Sequence, residues 1–381
     1  MRIGITCYPT YGGSGVLATE LGKILARRGH EVHFITSSLP YRLQNGFMEK
    51  IFYHEVENLS SPPFDNTLYN LALAAKMKQI FAAEKLDVLH VHYALPHAIS
   101  AYLAAQMYLP KPMPIVTTLH GTDITIVGQD KSLFDITRLG INQSTQVTAV
   151  SRYLKEETDR VFHPLKSVKT IYNFVDTDLF SPRTLPPCKR YFAPQNQVVY
   201  IHLSNFRKVK RIPDVIKTFN LIQKQVDSVL LMVGEGPLYT EARELVSTLN
   251  LQEKVRFLGK QEDVVTLLNM SDVLLFPSET ESFGLAALEA MACEIPVIGS
   301  LSGGIPEVVE QGVTGYLSAV GDIESLAQGG ITLGLHKDLR MQMGKAARQR
   351  ALNLFHTDTI VPQYEAIYTE AIQAAHADAK Y

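Results

Sequence analysis

Ser181-Pro-Arg-Thr-Leu-Pro-Pro-Cys-Lys-Arg-Tyr-Phe-Ala-Pro-Gln-Asn-Gln197 holds four prolines in seventeen residues and no hydrophobic period. Proline density without periodicity reads as a linker. On either side of it the same pattern runs once. Before it, short apolar runs at Arg2–Cys7, Glu31–Thr36, Ile51–Glu55, Asp87–His92, Ile115–Leu119 and Gln146–Val150 alternate with helix-length segments at Val16–Arg28, Thr67–Glu84 and His97–Tyr108. After it, strand-like runs restart at Val198–Leu203, Val229–Val233, Val255–Leu258, Val273–Phe276 and Pro296–Ile298, with helical stretches at Ile212–Gln225, Leu238–Asn250, Asp263–Met270 and Gly284–Cys293 between them. Strand–helix alternation predicts parallel sheets with helices on both faces, hence an α/β chain of two doubly wound, Rossmann-like domains. The expected division is residues 1–180, a linker at 181–197, residues 198–356, and a helix-like segment at 357–381 that packs back on the first domain.

The chain has 381 residues, which suits two domains of ordinary size. Lys plus Arg is 36 and Asp plus Glu is 38. That balance argues against a nucleic-acid binder, which needs a basic excess or stripe. No apolar run approaches the length of a membrane span, and the start of the chain lacks the pattern of a secretory signal. Cys7, Cys188 and Cys293 are far apart, which is the usage of a reduced, cytoplasmic protein.

Open parallel sheets bind ligands at the carboxyl ends of their strands, so the residues just after each strand carry the chemistry. Tyr11-Gly-Gly-Ser-Gly15 follows the first strand and opens a helix. Its glycines let backbone N–H groups approach an anion, and Ser14 can cap the helix; a plain strand-to-helix turn is the alternative. His120-Gly-Thr-Asp123 follows the fifth strand, where a His can donate to a ligand oxygen or simply be buried and hydrogen-bonded. Ser204-Asn-Phe-Arg-Lys-Val-Lys-Arg211 sets four cations in five residues past a strand. They can hold a diphosphate leaving group or form a solvated turn. Gly234-Glu-Gly-Pro237 can approach a nucleotide or serve as a turn. Glu281-Ser-Phe-Gly-Leu-Ala-Ala-Leu-Glu289 is the most specific segment: Glu281 ends a loop, Ser282-Phe-Gly opens a helix, and Glu289 lies two turns inside it. Asp176-Thr-Asp178 reads as an Asx turn rather than a metal pair. His90 and His92, two apart on one strand face, read as packed residues rather than metal ligands.

Together the glycine loop, the post-strand His, the basic loop and the Glu-x7-Glu segment resemble the retaining GT-B glycosyltransferases of the GT4 type. The resemblance covers essentially the whole chain and implies two Rossmann-like domains facing a cleft. Longer strings, among them Gly4-Ile-Thr-Cys-Tyr-Pro9, His92-Tyr-Ala-Leu-Pro-His97 and Thr117-Thr-Leu-His-Gly-Thr-Asp-Ile124, are similar to the branch of that family that opens bacillithiol biosynthesis. That likeness implies GlcNAc transfer from UDP-GlcNAc to L-malate, small-molecule partners only, and no metal or other cofactor; it also allows a homodimer. By the same likeness, Glu289 would bind the uridine ribose and Glu281 the sugar hydroxyls. The backbone of Phe283, Gly284 and Leu285 would lie beside the diphosphate and sugar. Arg207 and Lys210 would neutralise the departing diphosphate, and His120 would contact the sugar. The Gly12–Gly15 loop, Tyr93 and Thr117 would face the acceptor, with Ser14 on a malate carboxylate and Gly13 also against the donor. Glu294 departs from the family, whose members commonly carry Gly there. Two other readings stay open: a GT4 transferase with a glycolipid or polysaccharide acceptor, and a sugar-nucleotide-binding protein without catalysis.

Overall fold

The computed structural model describes residues 1–9, 13–43, 48–57, 68–183 and 189–378. Tyr11 and Gly12 of the glycine loop, Cys188 and residues 184–188 of the proline-rich stretch lie outside these. The chain divides into two compact units: Met1–Asn173 with Thr357–Tyr381, and Phe174–His356.

The first unit is built on a seven-stranded sheet. Its strands are β1 (Arg2–Thr6), β2 (Glu31–Thr36), β3 (Ile51–Glu55), β4 (Val88–His92), β5 (Ile115–Leu119), β6 (Gln146–Ala149) and β7 (Val168–Thr170). The order across the sheet is β3-β2-β1-β4-β5-β6-β7, and every pairing is parallel. The second unit holds β8 (Val198–Leu203), β9 (Ser228–Val233), β10 (Val255–Gly259), β11 (Val273–Phe276), β12 (Val297–Ser300) and β13 (Gly315–Ser318), ordered β10-β9-β8-β11-β12-β13 and also parallel. In each sheet the order reverses once, between β1 and β4 and between β8 and β11. Chain connections leave in opposite directions there, which opens a crevice at the strand ends.

Continuous apolar runs become the central strands because helices cover both faces. All residues of β4, β5, β9, β11 and β12 are buried. The edge strands β7 and β13 escape the sequence pattern because they are only three and four residues long and half-buried. The helices Phe134–Gln143, Arg152–Phe162, Ile323–Leu335 and Lys337–Leu354 are likewise additional to the sequence reading.

The boundary between the units falls at Asn173/Phe174, not at residue 180, and the described residues of the proline-rich stretch, 181–183 and 189–197, group with the second unit. Local bonding explains this. The Val175 N–H donates to the Phe355 carbonyl, and the Arg348 guanidinium donates to the carbonyls of Thr177, Phe180 and Ala292. These contacts fasten residues 174–180 to the second unit.

The last helix, Thr357–Asp378, returns to the first unit. Ile360, Val361, Tyr364, Ile367, Tyr368 and Ala371 are buried and recur at helical spacing. The Tyr368 hydroxyl lies 2.8 Å from His90 Nδ1, and Glu365 takes both arms of the Arg28 guanidinium at 3.0 and 2.9 Å.

Candidate active site

In the first unit the crevice residues come from the loops after β1, β4 and β5. Ser14 sits inside the first turn of the helix Gly13–Arg27 rather than capping it, and its Oγ accepts a hydrogen bond from the Tyr93 hydroxyl at 2.7 Å. Two residues expected on the acceptor side are therefore in contact. Tyr93 directly follows β4 with φ +86°, a backbone conformation that bulky L-residues avoid. The strained turn sets its ring edge-on to Tyr8, with centroids 5.5 Å apart, and 5.1 Å from the ring of His120.

His120 follows β5 and is half-buried. Its Nε2 lies 2.8 Å from Nδ1 of His92, and the two rings stack. Asp123, which the sequence reading passed over, holds this corner together. Its carboxylate accepts from the backbone N–H of Ala94, Gly121 and His120 at 2.9, 2.9 and 3.3 Å, joining the loops after β4 and β5. Burial nevertheless pushes its pKa up to about 6, against those three stabilising bonds. Burial also holds the nearby imidazoles neutral: His90 and His120 fall to about 3, His97 to about 4, and His92 well below its usual 6.5.

Thr117 departs from expectation. It is fully buried, and its hydroxyl pairs with Ser144 Oγ at 2.7 Å, so it faces the helix Phe134–Gln143 instead of an acceptor. Side chains alternate along a strand, and both faces of β5 are covered, so neither Thr117 nor Thr118 is open. His90 and His92 are packed, as their spacing predicts. Asp176 forms the Asx turn, its Oδ1 accepting from the N–H of Asp178 and Leu179.

In the second unit the loop after β8 carries the cations. His202 roots it: Nδ1 faces the Leu275 carbonyl at 2.8 Å and so carries the proton, which leaves Nε2 to accept from the Ser204 hydroxyl at 2.7 Å. Arg207 is exposed. Lys210 pairs with Glu281, and Ser278 Oγ donates to the same carboxylate oxygen at 2.9 Å. Arg211 turns away to Asp214 and Glu279, and Lys210 keeps its pairing with Glu281, which leaves Arg207 and Lys208 as the cations of the loop with no ion pair among the described residues. A backbone bond from Glu279 N–H to the Val209 carbonyl, 2.8 Å, ties the basic loop to the loop after β11. Gly234 and Gly236 serve packing. A Cβ on Gly234 would meet the Ser204 carbonyl oxygen at 1.8 Å, and one on Gly236 the Phe206 nitrogen at 2.7 Å.

Glu281 is buttressed from behind by the turn at Gly303-Gly304. The Gly304 N–H donates to the Glu281 carbonyl at 2.8 Å, and a Cβ on Gly303, whose φ is +58°, would stand 2.1 Å from that oxygen. Gly284 takes φ +103° and launches the helix Leu285–Ala292. Glu289 is thus one turn inside that helix, not two, because the regular helix starts at Leu285. Phe283 is buried edge-on to Phe355, 5.5 Å away, and anchors the segment whose backbone leads into the helix. The helix ends at Ala292, and past its cap residue Cys293 the backbone of Glu294 takes φ +63°, a left-handed angle that favours glycine. A separate hollow lined by Arg183, Asn269, Asp272, Cys293 and Arg340 opens at the amino ends of β11 and β12, the opposite edge of the sheet from these groups. Among the described residues no three His, Cys, Asp or Glu side chains gather as a metal set.

Two parallel sheets with reversing strand order, cations after β8, Glu281 in the loop after β11 and Glu289 on the helix that follows fit a glycosyltransferase. A family model described as Glycosyltransferase Family 4 matches residues 11–179, and one described as Glycosyl transferases group 1 matches residues 189–350. The chain belongs to this glycosyltransferase family and has its GT-B fold. Over 374 residues, 98% of each chain, it is 50% identical to the N-acetyl-alpha-D-glucosaminyl L-malate synthase of Bacillus anthracis. Among solved structures it matches a glycosyltransferase from Rickettsia africae at 25% identity and a TM-score of 0.81, covering 97% of this chain and 98% of that one. It also shares the fold of Anabaena HepE, solved with UDP and glucose, at 21% identity, a TM-score of 0.82 and coverage of 97% and 99%. Among the described residues no helix is long and apolar enough to cross a membrane.

Proposed function

We propose that this glycosyltransferase moves GlcNAc from UDP-GlcNAc to the hydroxyl of L-malate with retention at the anomeric carbon and without a metal, the reaction that opens bacillithiol assembly. The observation that carries this reading is half-identity, sustained over 98% of both chains, to a relative named for that product. The local chemistry supports it. As the bond from the anomeric carbon to the β-phosphate oxygen breaks, negative charge grows on the leaving UDP. Arg207 and Lys210 supply fixed positive charge for it in place of a divalent ion. The departing phosphate takes the malate hydroxyl proton on the same face of the sugar as the new carbon–oxygen bond forms, so no protein nucleophile is needed. Glu281 accepts from sugar hydroxyls, Glu289 from the ribose, and the backbone at Phe283, Gly284 and Leu285 lies along the diphosphate. His120 donates to the sugar. On the acceptor side, Ser14 and the N–H groups beginning the helix at Gly13 suit a malate carboxylate, with Tyr93 beside them. The free thiols Cys7 and Cys293 fit a reducing cytoplasm.

The test is direct. Purified protein with UDP-GlcNAc should release UDP only when L-malate is added, with equal rates in EDTA and in magnesium, and NMR of the product should show the α-anomer. Transfer to some other acceptor with no response to malate would remove the acceptor assignment. Activity lost in EDTA and restored by manganese would remove the metal-free mechanism.

A further inference from the structure

We infer that His92 is a positioning residue that fixes the tautomer of His120, so that His120 presents Nδ1–H, rather than a bare nitrogen, to the donor sugar. The inference rests on the reading of His120 as a sugar-contacting group and adds how that group is prepared.

His97 sets the precedent for the argument. Its Nδ1 lies against the His92 carbonyl, which can only accept, so Nδ1 carries the proton. Its Nε2 is buried and has no partner. The orphan nitrogen there is the bare lone pair, which is less costly to bury unpaired than an N–H group. His92 shows the same pattern one step along. Its Nε2 is also buried and unpartnered, and its Nδ1 lies 2.8 Å from His120 Nε2. By the same accounting, the proton of His92 sits on Nδ1 and is donated to His120 Nε2. A neutral His120 then keeps its one proton on Nδ1, which makes no hydrogen bond among the described residues. Free neutral imidazoles favour the opposite tautomer, so the arrangement must be imposed by the neighbour. Four features hold the two rings in place. His92 is fully buried, its ring lies 4.4 Å from His90, His90 is pinned between Tyr368 and Thr118, and Asp123 fixes the backbone of His120.

Two measurements test this. In the intact protein labelled with 15N-histidine, the His120 ring should show a protonated Nδ1 and an unprotonated Nε2, and His92→Leu should return His120 to the Nε2–H form. A protonated Nε2 on His120 in the unmodified chain overturns the inference at once, whatever the variants do. In kinetics with UDP-GlcNAc, His92→Leu should lower kcat about 10-fold or more, with the donor KM changed less than about threefold. His92→Asn sets an amide N–H where Nδ1 stood and should recover most of the lost rate, whereas His92→Gln, which reaches the Nε2 position, should not. Equal losses in Asn and Leu variants of unchanged melting temperature would refute positioning. If His120→Ala itself keeps full kcat, the sugar-contact reading fails instead, while the NMR result for His92 stands on its own.

Discussion

At the scale of single residues, the decisive pairing is Lys210 with Glu281, both side chains largely buried. A buried pair holds its geometry only while both charges are present, and losing one leaves the other uncompensated. Glu281→Gln should therefore free Lys210 and weaken sugar binding together. Arg207 is different, because it is exposed and its charge matters mainly when UDP leaves. Arg207→Ala should lower kcat by about 10²-fold while the dissociation constant for UDP-GlcNAc, measured by calorimetry, moves far less. A loss confined to affinity would instead favour a sugar-nucleotide sensor. Most of these residues are legible in the sequence because they stand within a few residues of the ends of buried strands: His120 after Leu119, Arg207 after Leu203, Glu281 after Phe276. Asp123, His202 and Ser278 are not legible as site-builders, since each acts through a partner distant in sequence or through backbone N–H groups. Thr117 is misread for a related reason: position near a strand end does not reveal which face is covered.

At the scale of elements, the glycines divide into those that need the space and those that need only the backbone angle. Gly303 and Gly312 both take left-handed φ, +58° and +74°. Around Gly312 a Cβ would meet nothing within 4 Å, whereas at Gly303 it would strike the Glu281 carbonyl. Gly312→Ala should cost about 1 kcal/mol of stability, as conformational strain alone does, and leave turnover intact. Gly303→Ala should cost more and should also reduce turnover by displacing the Glu281 loop. Thermal melts and initial rates on the two variants separate these outcomes. The central strands could be read from sequence almost to the residue because they are fully buried apolar runs. The short edges β7 and β13 could not, having too few residues to show a period.

At the scale of the whole molecule, acid should weaken the protein. Below about pH 6.5 an unfolded chain protonates His90, His92, His97, His120 and His202, while burial keeps the folded rings neutral down to about 3 or 4 where a value is resolved. Their contribution is complete above about pH 6.5 and is lost as the pH falls. Asp123 has the opposite sign: its raised pKa of about 6 favours the folded chain as the pH drops from there towards 4. One carboxyl opposes five imidazoles, so the melting temperature should fall steadily between pH 6.5 and 4. A flat profile across that window would refute the burial argument. The two-domain plan was visible in the repeated strand–helix pattern. The true boundary was not, because Val175 and Arg348 make their bonds across more than 160 residues of chain.

The helix Thr357–Asp378 belongs to the first unit but is translated after the whole of the second. Six buried side chains at about 1.5–3 kcal/mol for each large one amount to roughly the entire stability of a domain. On the ribosome, then, residues 1–173 must wait unfinished, with His90 lacking Tyr368 and Arg28 lacking Glu365, while residues 174–356 can already close on themselves. A nascent chain arrested before residue 357 should resist protease in its second unit and be cut in its first, and supplying the final helix as a separate peptide should protect it.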